Sequence, residues 1–223
     1  RESNFAREPY WDAFVRLVSW AKKNTVSTIW SCLAAHAAAF QLDGVERRAL
    51  SQKKFGVFKC DRVDGHAMMR TMPATIEIPH SRWNELSETD LLNAGYTVLT
   101  SSREAGVDMF AKRADSLFLF MQGHPEYDAH SLLLEYRRDV GRYLCGSRND
   151  YPGLPSNYFS EEAVAALRVF EATALHDRSE GLLTQFPTAL AAKSLTSRWR
   201  PHAKAVFAAW LAEIENAQSR RRP

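Results

Sequence analysis

Two places in the chain carry residue types that could do nucleophilic chemistry together. Cys32 stands between a β-rich run at 25–31 and an alanine-rich segment at 33–40. His124 and Glu126 stand two residues apart, directly after the apolar run 117–121 and the pair Gln122-Gly123. A thiol at the first turn of a helix sees the positive end of the dipole and free N–H groups, which favour the thiolate. The same N–H groups can hold an oxyanion. A histidine beside a carboxylate is the pattern of an oriented general base. Each feature also has an inert reading: Cys32 as a buried structural cysteine, and His124 with Glu126 as a polar surface turn.

The elements that must position these groups are legible from periodicity. Residues 117–121, Leu-Phe-Leu-Phe-Met, form a continuous apolar run that fits a strand buried on both faces. From about Ala129 a helical stripe follows through Leu132, Leu133, Tyr136, Val140 and Tyr143. His124 therefore falls at the carboxyl end of a strand, where open α/β sheets bind ligands. Pro125 keeps the residue before it out of the helical region.

The rest of the chain reads as follows. Residues 9–24 form a helix with Pro9 in its first turn. Residues 53–58 form a turn into a short strand, and 59–75 are loop with strand pieces. Ile76-Glu77-Ile78 alternates until Pro79-His80-Ser81-Arg82 ends that segment. Ser87 caps a short helix, Ser160 caps another over 161–175, and 201–217 form an amphipathic helix through Ala203, Val206, Phe207, Trp210, Leu211 and Ile214. Residues 96–101 and 107–112 are strands joined by a short turn, so the sheet is mixed. His36, on the alanine-rich helix, reads as a hydrogen-bonded core histidine, and Trp199 and Trp210 as core.

The 223 residues suffice for one core, with no domain boundary apparent. A net charge of +3 is too small to argue for nucleic acid or membrane partners. Three cysteines without C-x-x-C spacing speak against a disulfide framework or a zinc site, and a reducing, cytoplasmic setting is the expectation. His66, His130, His176 and His202 lack ligand spacing, so no metal is expected.

Five segments in register resemble the homoserine O-succinyltransferase (homoserine O-acyltransferase) family. They are Gln-Gly-His-Pro-Glu-Tyr-Asp-Ala at 122–129, Pro-His-Ser-Arg at 79–82, Glu-Ala-Gly-Val-Asp-Met-Phe at 104–110, Phe-Gly-Val-Phe at 55–58 and Arg-Asp-Val at 138–140. The likeness runs from about residue 9 to 211. It implies an α/β, flavodoxin-like fold, similar to class I glutamine amidotransferases, forming a single acyltransferase domain over 1–223. It further implies acyl transfer from acyl-CoA to the homoserine hydroxyl through an acyl-cysteine, in methionine biosynthesis. Carried over residue by residue, Cys32 is the nucleophile, His124 the base and Glu126 the group that orients it. Arg138 takes the amino acid's carboxylate, and Lys53 and Ser81 contact substrate. By spacing, Arg1 matches the position that selects the acyl group, where an arginine would favour succinyl-CoA over acetyl-CoA. Acyl-CoA and L-homoserine are then the small-molecule partners, with no further cofactor.

The chain departs from the family in two ways. Leu33 replaces an aromatic residue after the cysteine. The family's first strands and an oxyanion lysine also lie upstream of the matching part. The expectation is a chain lacking those N-terminal strands, with an exposed sheet edge unless a second copy, as in a homodimer, or the missing segment covers it. Two competing readings are a glutamine amidotransferase-like cysteine hydrolase and a truncated, inactive homologue acting as a binding module.

Overall fold

A computed structural model describes residues 5–63 and 65–219. The contacts group the chain into two compact units. The first comprises residues 1–54, 58–125 and 199–223, and the second comprises 55–57 and 126–198.

The first unit is built on a six-stranded mixed sheet. Its strands are β1 (Ser27–Ser31), β2 (Arg48–Arg62), β3 (Thr75–Glu85), β4 (Thr97–Ser102), β5 (Gly106–Arg113) and β6 (Leu117–Met121), in the order β1-β6-β5-β4-β2-β3. β6 pairs parallel with β1, from Ser27↔Leu117 to Ser31↔Met121, and antiparallel with β5. Every residue of β6 is buried, as its apolar run predicts. The pleat sends Phe118 and Phe120 into one core cluster and Leu117, Leu119 and Met121 into the other. In the first cluster Phe120 stacks on Phe110 of β5, with centroids 4.7 Å apart. Helices α1 (Trp11–Asn24) and α2 (Leu33–Asp43) contribute Val18, Ala21, Ala35, Ala38 and Ala39 to that cluster. The alanines let α2 lie close, because they bring no bulk to the interface.

Between β3 and β4 lies α3 (Glu88–Asn93), capped as expected by Ser87, whose Oγ accepts the Asp90 N–H at 3.2 Å.

Three sequence expectations are corrected here. Residues 53–58 are not a turn into a short strand but the middle of the 15-residue β2. Pro-His-Ser-Arg does not end a segment either, since β3 runs straight through it. β3 is the edge of the sheet, where a proline's missing N–H costs no ladder bond on the open side. On the C-terminal helix Arg200–Ser219, Ala203, Val206 and Ala209 are buried, whereas Phe207 is 36% and Leu211 52% exposed. The apolar stripe is thus narrower than its periodicity suggested. Trp199 is fully buried, and Trp210 is half-buried with its indole N–H on Ser27 Oγ at 2.8 Å.

The second unit is helical: α4 (Ser131–Leu144), α5 (Glu161–His176), a 3₁₀ segment (Glu180–Gln185) and α6 (Thr188–Ala192). The stripe Leu132, Leu133, Tyr136, Val140 and Tyr143 is buried as read from the sequence. Ser160 caps α5 by accepting the Ala163 N–H at 3.3 Å. Gly56 joins this unit through bonds that its neighbours Phe55 and Val57 make to Ser156. A Cβ at Gly56 would lie 2.3 Å from the Ser156 carbonyl oxygen.

Among the described residues no helix is long and apolar enough to cross a membrane. None of the three cysteines is joined in a disulfide.

Candidate active site

Cys32 is the last residue before α2, and its backbone is unusual. With φ 50° and ψ −117° it lies where non-glycine residues are strained, a conformation that costs roughly 1–3 kcal/mol. Among the described residues only Asn157 shares a positive φ without being glycine. The Cys32 N–H donates to Met121 O at 2.8 Å, so the parallel pairing of β1 with β6 continues one residue into the junction. The half-buried side chain makes no capping bond to the helix. The first N–H groups of α2 lack intrahelical acceptors and lie beside the thiol's residue. This is the strand–strained turn–helix arrangement that presents a nucleophile.

His124 stands three residues after the end of β6, so Cys32 and His124 follow neighbouring parallel strands at the same end of the sheet. The imidazole is buried, and the His124 N–H donates to Pro79 O at 2.7 Å.

Gln122, fully buried, anchors the start of this turn. Its Nε2 donates to Val107 O at 2.7 Å and to Leu86 O at 3.3 Å. Its Oε1 accepts from the Leu86 N–H at 2.8 Å and from His36 Nε2 at 2.9 Å. The amide is saturated, which places the His36 proton on Nε2. The core reading of His36 holds.

Burial pushes the His36 pKa down from 6.5 to about 4. Between those values the unfolded chain takes up a proton that the folded chain refuses. Stability contributed by neutral His36 is therefore full above about pH 6.5 and is lost as pH falls toward 4, by up to ~3 kcal/mol. His80, also pushed down by burial, acts in the same direction. Urea midpoints measured between about pH 7 and about pH 4.5 are expected to fall with pH. The His36→Gln variant is expected to show a visibly shallower fall.

Beneath the Gly123–His124 turn lies a buried polar chain that sequence reasoning missed. His80, Asp108 and Thr100 are 0% exposed and Arg82 is 4%. Arg82 Nε donates to His80 Nδ1 at 3.4 Å. Arg82 also bonds the carbonyls of Asn84 and Ala105 and sits 3.8 Å from Glu85. His80 Nε2 faces Asp108 Oδ1 at 3.3 Å, off the line of a hydrogen bond. Thr100 Oγ1 donates to Asp108 Oδ2 at 2.9 Å and accepts the Met109 N–H. Burial lowers the Arg82 pKa, and the charges of Glu85 and Asp108 and the sulfurs of Cys32 and Cys60 oppose that shift.

Cys60, His80 and Asp108 also offer three ligand atoms within 4.8 Å of one another. A metal ion there would have to displace a thiol proton that burial holds strongly. It would also lie beside a histidine whose other nitrogen already accepts from a cation. The donor set suits a hydrogen-bond chain better than a metal centre.

The remaining predicted residues are placed as follows. Lys53 lies half-buried in β2, and Ser81 half-buried in β3 between His80 and Arg82. Glu126 and Arg138 belong to the second unit, both exposed, and Arg138 on α4 pairs with Asp139 at 3.1 Å and Glu135 at 3.7 Å. Arg1 lies outside the described residues. One surface groove, about 560 Å³, is lined by residues 43–48 with Asp90, Asn93 and Ala94, none of them a predicted site residue.

Comparison with known proteins adds to this geometry. Residues 1–219 match the profile of a family described as homoserine O-succinyltransferase. The chain is 43% identical to the homoserine O-succinyltransferase of Methylorubrum extorquens, covering 97% of this chain and 65% of that protein. It is 48% identical to the one from Bradyrhizobium japonicum, covering 81% and 55%. The chain thus spans less than two thirds of the length of these relatives. Among solved structures, a glutamine amidotransferase from Methylobacillus flagellatus superposes with a TM-score of 0.55 at 16% identity, covering 93% of this chain and 72% of that one. At that identity the likeness is one of fold, and it agrees with the α/β, glutamine amidotransferase-like architecture read from the sequence.

Proposed function

Since the chain belongs to the homoserine O-succinyltransferase family, we propose that it carries the catalytic centre for transfer of an acyl group from acyl-CoA to the hydroxyl of L-homoserine. The observation that carries the reading is the strained Cys32 at the head of α2, directly after the strand next to the one that leads to His124.

In this mechanism His124 takes the Cys32 proton and Sγ attacks the thioester carbonyl. The Sγ–acyl bond forms, the acyl–CoA bond breaks, and the proton leaves on the CoA thiol. The first N–H groups of α2 stabilise the oxyanion. His124 then takes the proton of the homoserine hydroxyl, whose oxygen attacks the acyl-cysteine. The ester departs and the sulfur recovers the proton. Glu126 orients His124, Arg138 takes the amino acid's carboxylate, and Lys53 and Ser81 contact substrate, the roles that the family resemblance gives them. No metal and no cofactor beyond the CoA ester takes part. The reading includes succinyl-CoA as donor in preference to acetyl-CoA, a cytoplasmic place in methionine biosynthesis, and a homodimer as the way to cover the sheet edge.

CoA release tests it. The protein carrying this chain should release at most one equivalent of CoA from succinyl-CoA without homoserine and many equivalents once homoserine is added, with a lower kcat/KM for acetyl-CoA. Ammonia release from glutamine without homoserine-dependent CoA release would instead support an amidotransferase-like hydrolase.

A further inference from the structure

The polar chain under the His124 turn has no role in the steps above, and stability is a poor reason for it. Burying Arg82, His80 and Asp108 carries a desolvation cost that well-packed apolar residues would not. Its geometry relates it to His124 instead. Gly123 has room for no side chain, because a Cβ would meet Asp108 Oδ1 at 2.6 Å and His80 Nε2 at 2.9 Å. Pro79, which precedes His80, holds the His124 N–H. Both faces of the two-residue turn thus rest on β3 and β5. Arg82 Nε–H on Nδ1 keeps the His80 ring neutral with its proton on Nε2, toward Asp108. The negative member of the pair is then Asp108, braced by Thr100.

We propose that the buried Asp108–His80 pair is a positioning device for His124. Its shape fixes the Gly123–His124 backbone, and the Asp108 carboxylate is the fixed charge that favours the imidazolium formed when His124 takes the Cys32 proton. The proposal rests on the reading of Cys32 and His124 as an acid–base pair. The charged and titratable groups facing Asp108 and His80 are Arg82 from β3, Cys60 from β2 and His124 from the turn. Glu85 and Cys32 lie beyond them around Arg82. Asp108→Asn keeps the shape and the acceptor for Thr100 but removes the charge. The imidazolium–thiolate state then becomes less favourable, and thiolate formation moves to higher pH.

The test is the pH dependence of Cys32 alkylation by iodoacetamide, followed by peptide mass so that Cys60 and Cys145 are counted apart. In Asp108→Asn the midpoint is expected to rise by about one pH unit, with kcat for acyl transfer down about tenfold and KM within about twofold. A folded Asp108→Asn protein with both midpoint and kcat unmoved overturns the proposal. Should that variant not fold, His80→Gln is read instead. That variant keeps the Asp108 charge but removes the ring that packs against the Gly123–His124 turn, so kcat is expected to fall with the midpoint little changed, and an unmoved kcat overturns the proposal. If the unaltered protein transfers no acyl group while the midpoint still shifts, the acyltransferase reading fails and the positioning role stands.

Discussion

Cys32→Ala is expected to lower kcat for homoserine-dependent CoA release by ~10³-fold or more, with the fold intact. The side chain is half-buried and makes no capping bond, so truncating it removes little packing. What it removes is the only thiol at this strand–helix junction. The backbone strain at φ 50° remains in the alanine variant. Cys32→Gly should therefore be equally inactive yet more stable than Cys32→Ala by roughly 1 kcal/mol, because glycine adopts this conformation without steric cost. Urea midpoints of the two variants measure that difference. Full activity in folded Cys32→Ala would exclude the covalent route.

Gly123→Ala should damage stability and turnover together. The new Cβ would sit 2.5 Å from Ile78 Cγ2 as well as against Asp108 and His80, and all three side chains are fully buried. None can swing away into solvent, so the turn itself must shift. The expected cost is about 1–3 kcal/mol in stability, and acyl transfer should fall about 10²-fold as His124 is carried out of place. Gly153→Ala is the control, since a Cβ there meets nothing within 4 Å and should be nearly neutral. Equal behaviour of the two variants in melting and in activity would show that the turn is not braced as described.

The parts of the fold legible in the sequence are those set by local chemistry. The apolar run of β6, the serine caps of α3 and α5 and the buried stripe of α4 each carry their signal within a few residues. Cys32 was legible for the same reason, as a thiol at a β-to-helix change of pattern. β2 was not, because its first half is polar and charged and only its partners across the sheet make it a strand. Pro79 misled because proline is read as a breaker, whereas on an edge strand it merely leaves a bond unmade. The His80–Asp108 pair had the weakest local signal. Its members come from β3 and β5, which are not neighbours in the sheet, and face each other at 3.3 Å beside Gly123. The glycine between Gln122 and His124 was the one clue, since a residue with no Cβ at a strand end can mark a close approach.

Intact-mass analysis after brief exposure to succinyl-CoA without homoserine tests the central claim most directly. The account predicts a gain of one succinyl group on the unaltered protein, mapped to Cys32, cleared by adding homoserine and absent in Cys32→Ala. A stable protein that turns over succinyl-CoA and homoserine while Cys32 never carries the acyl group would contradict it.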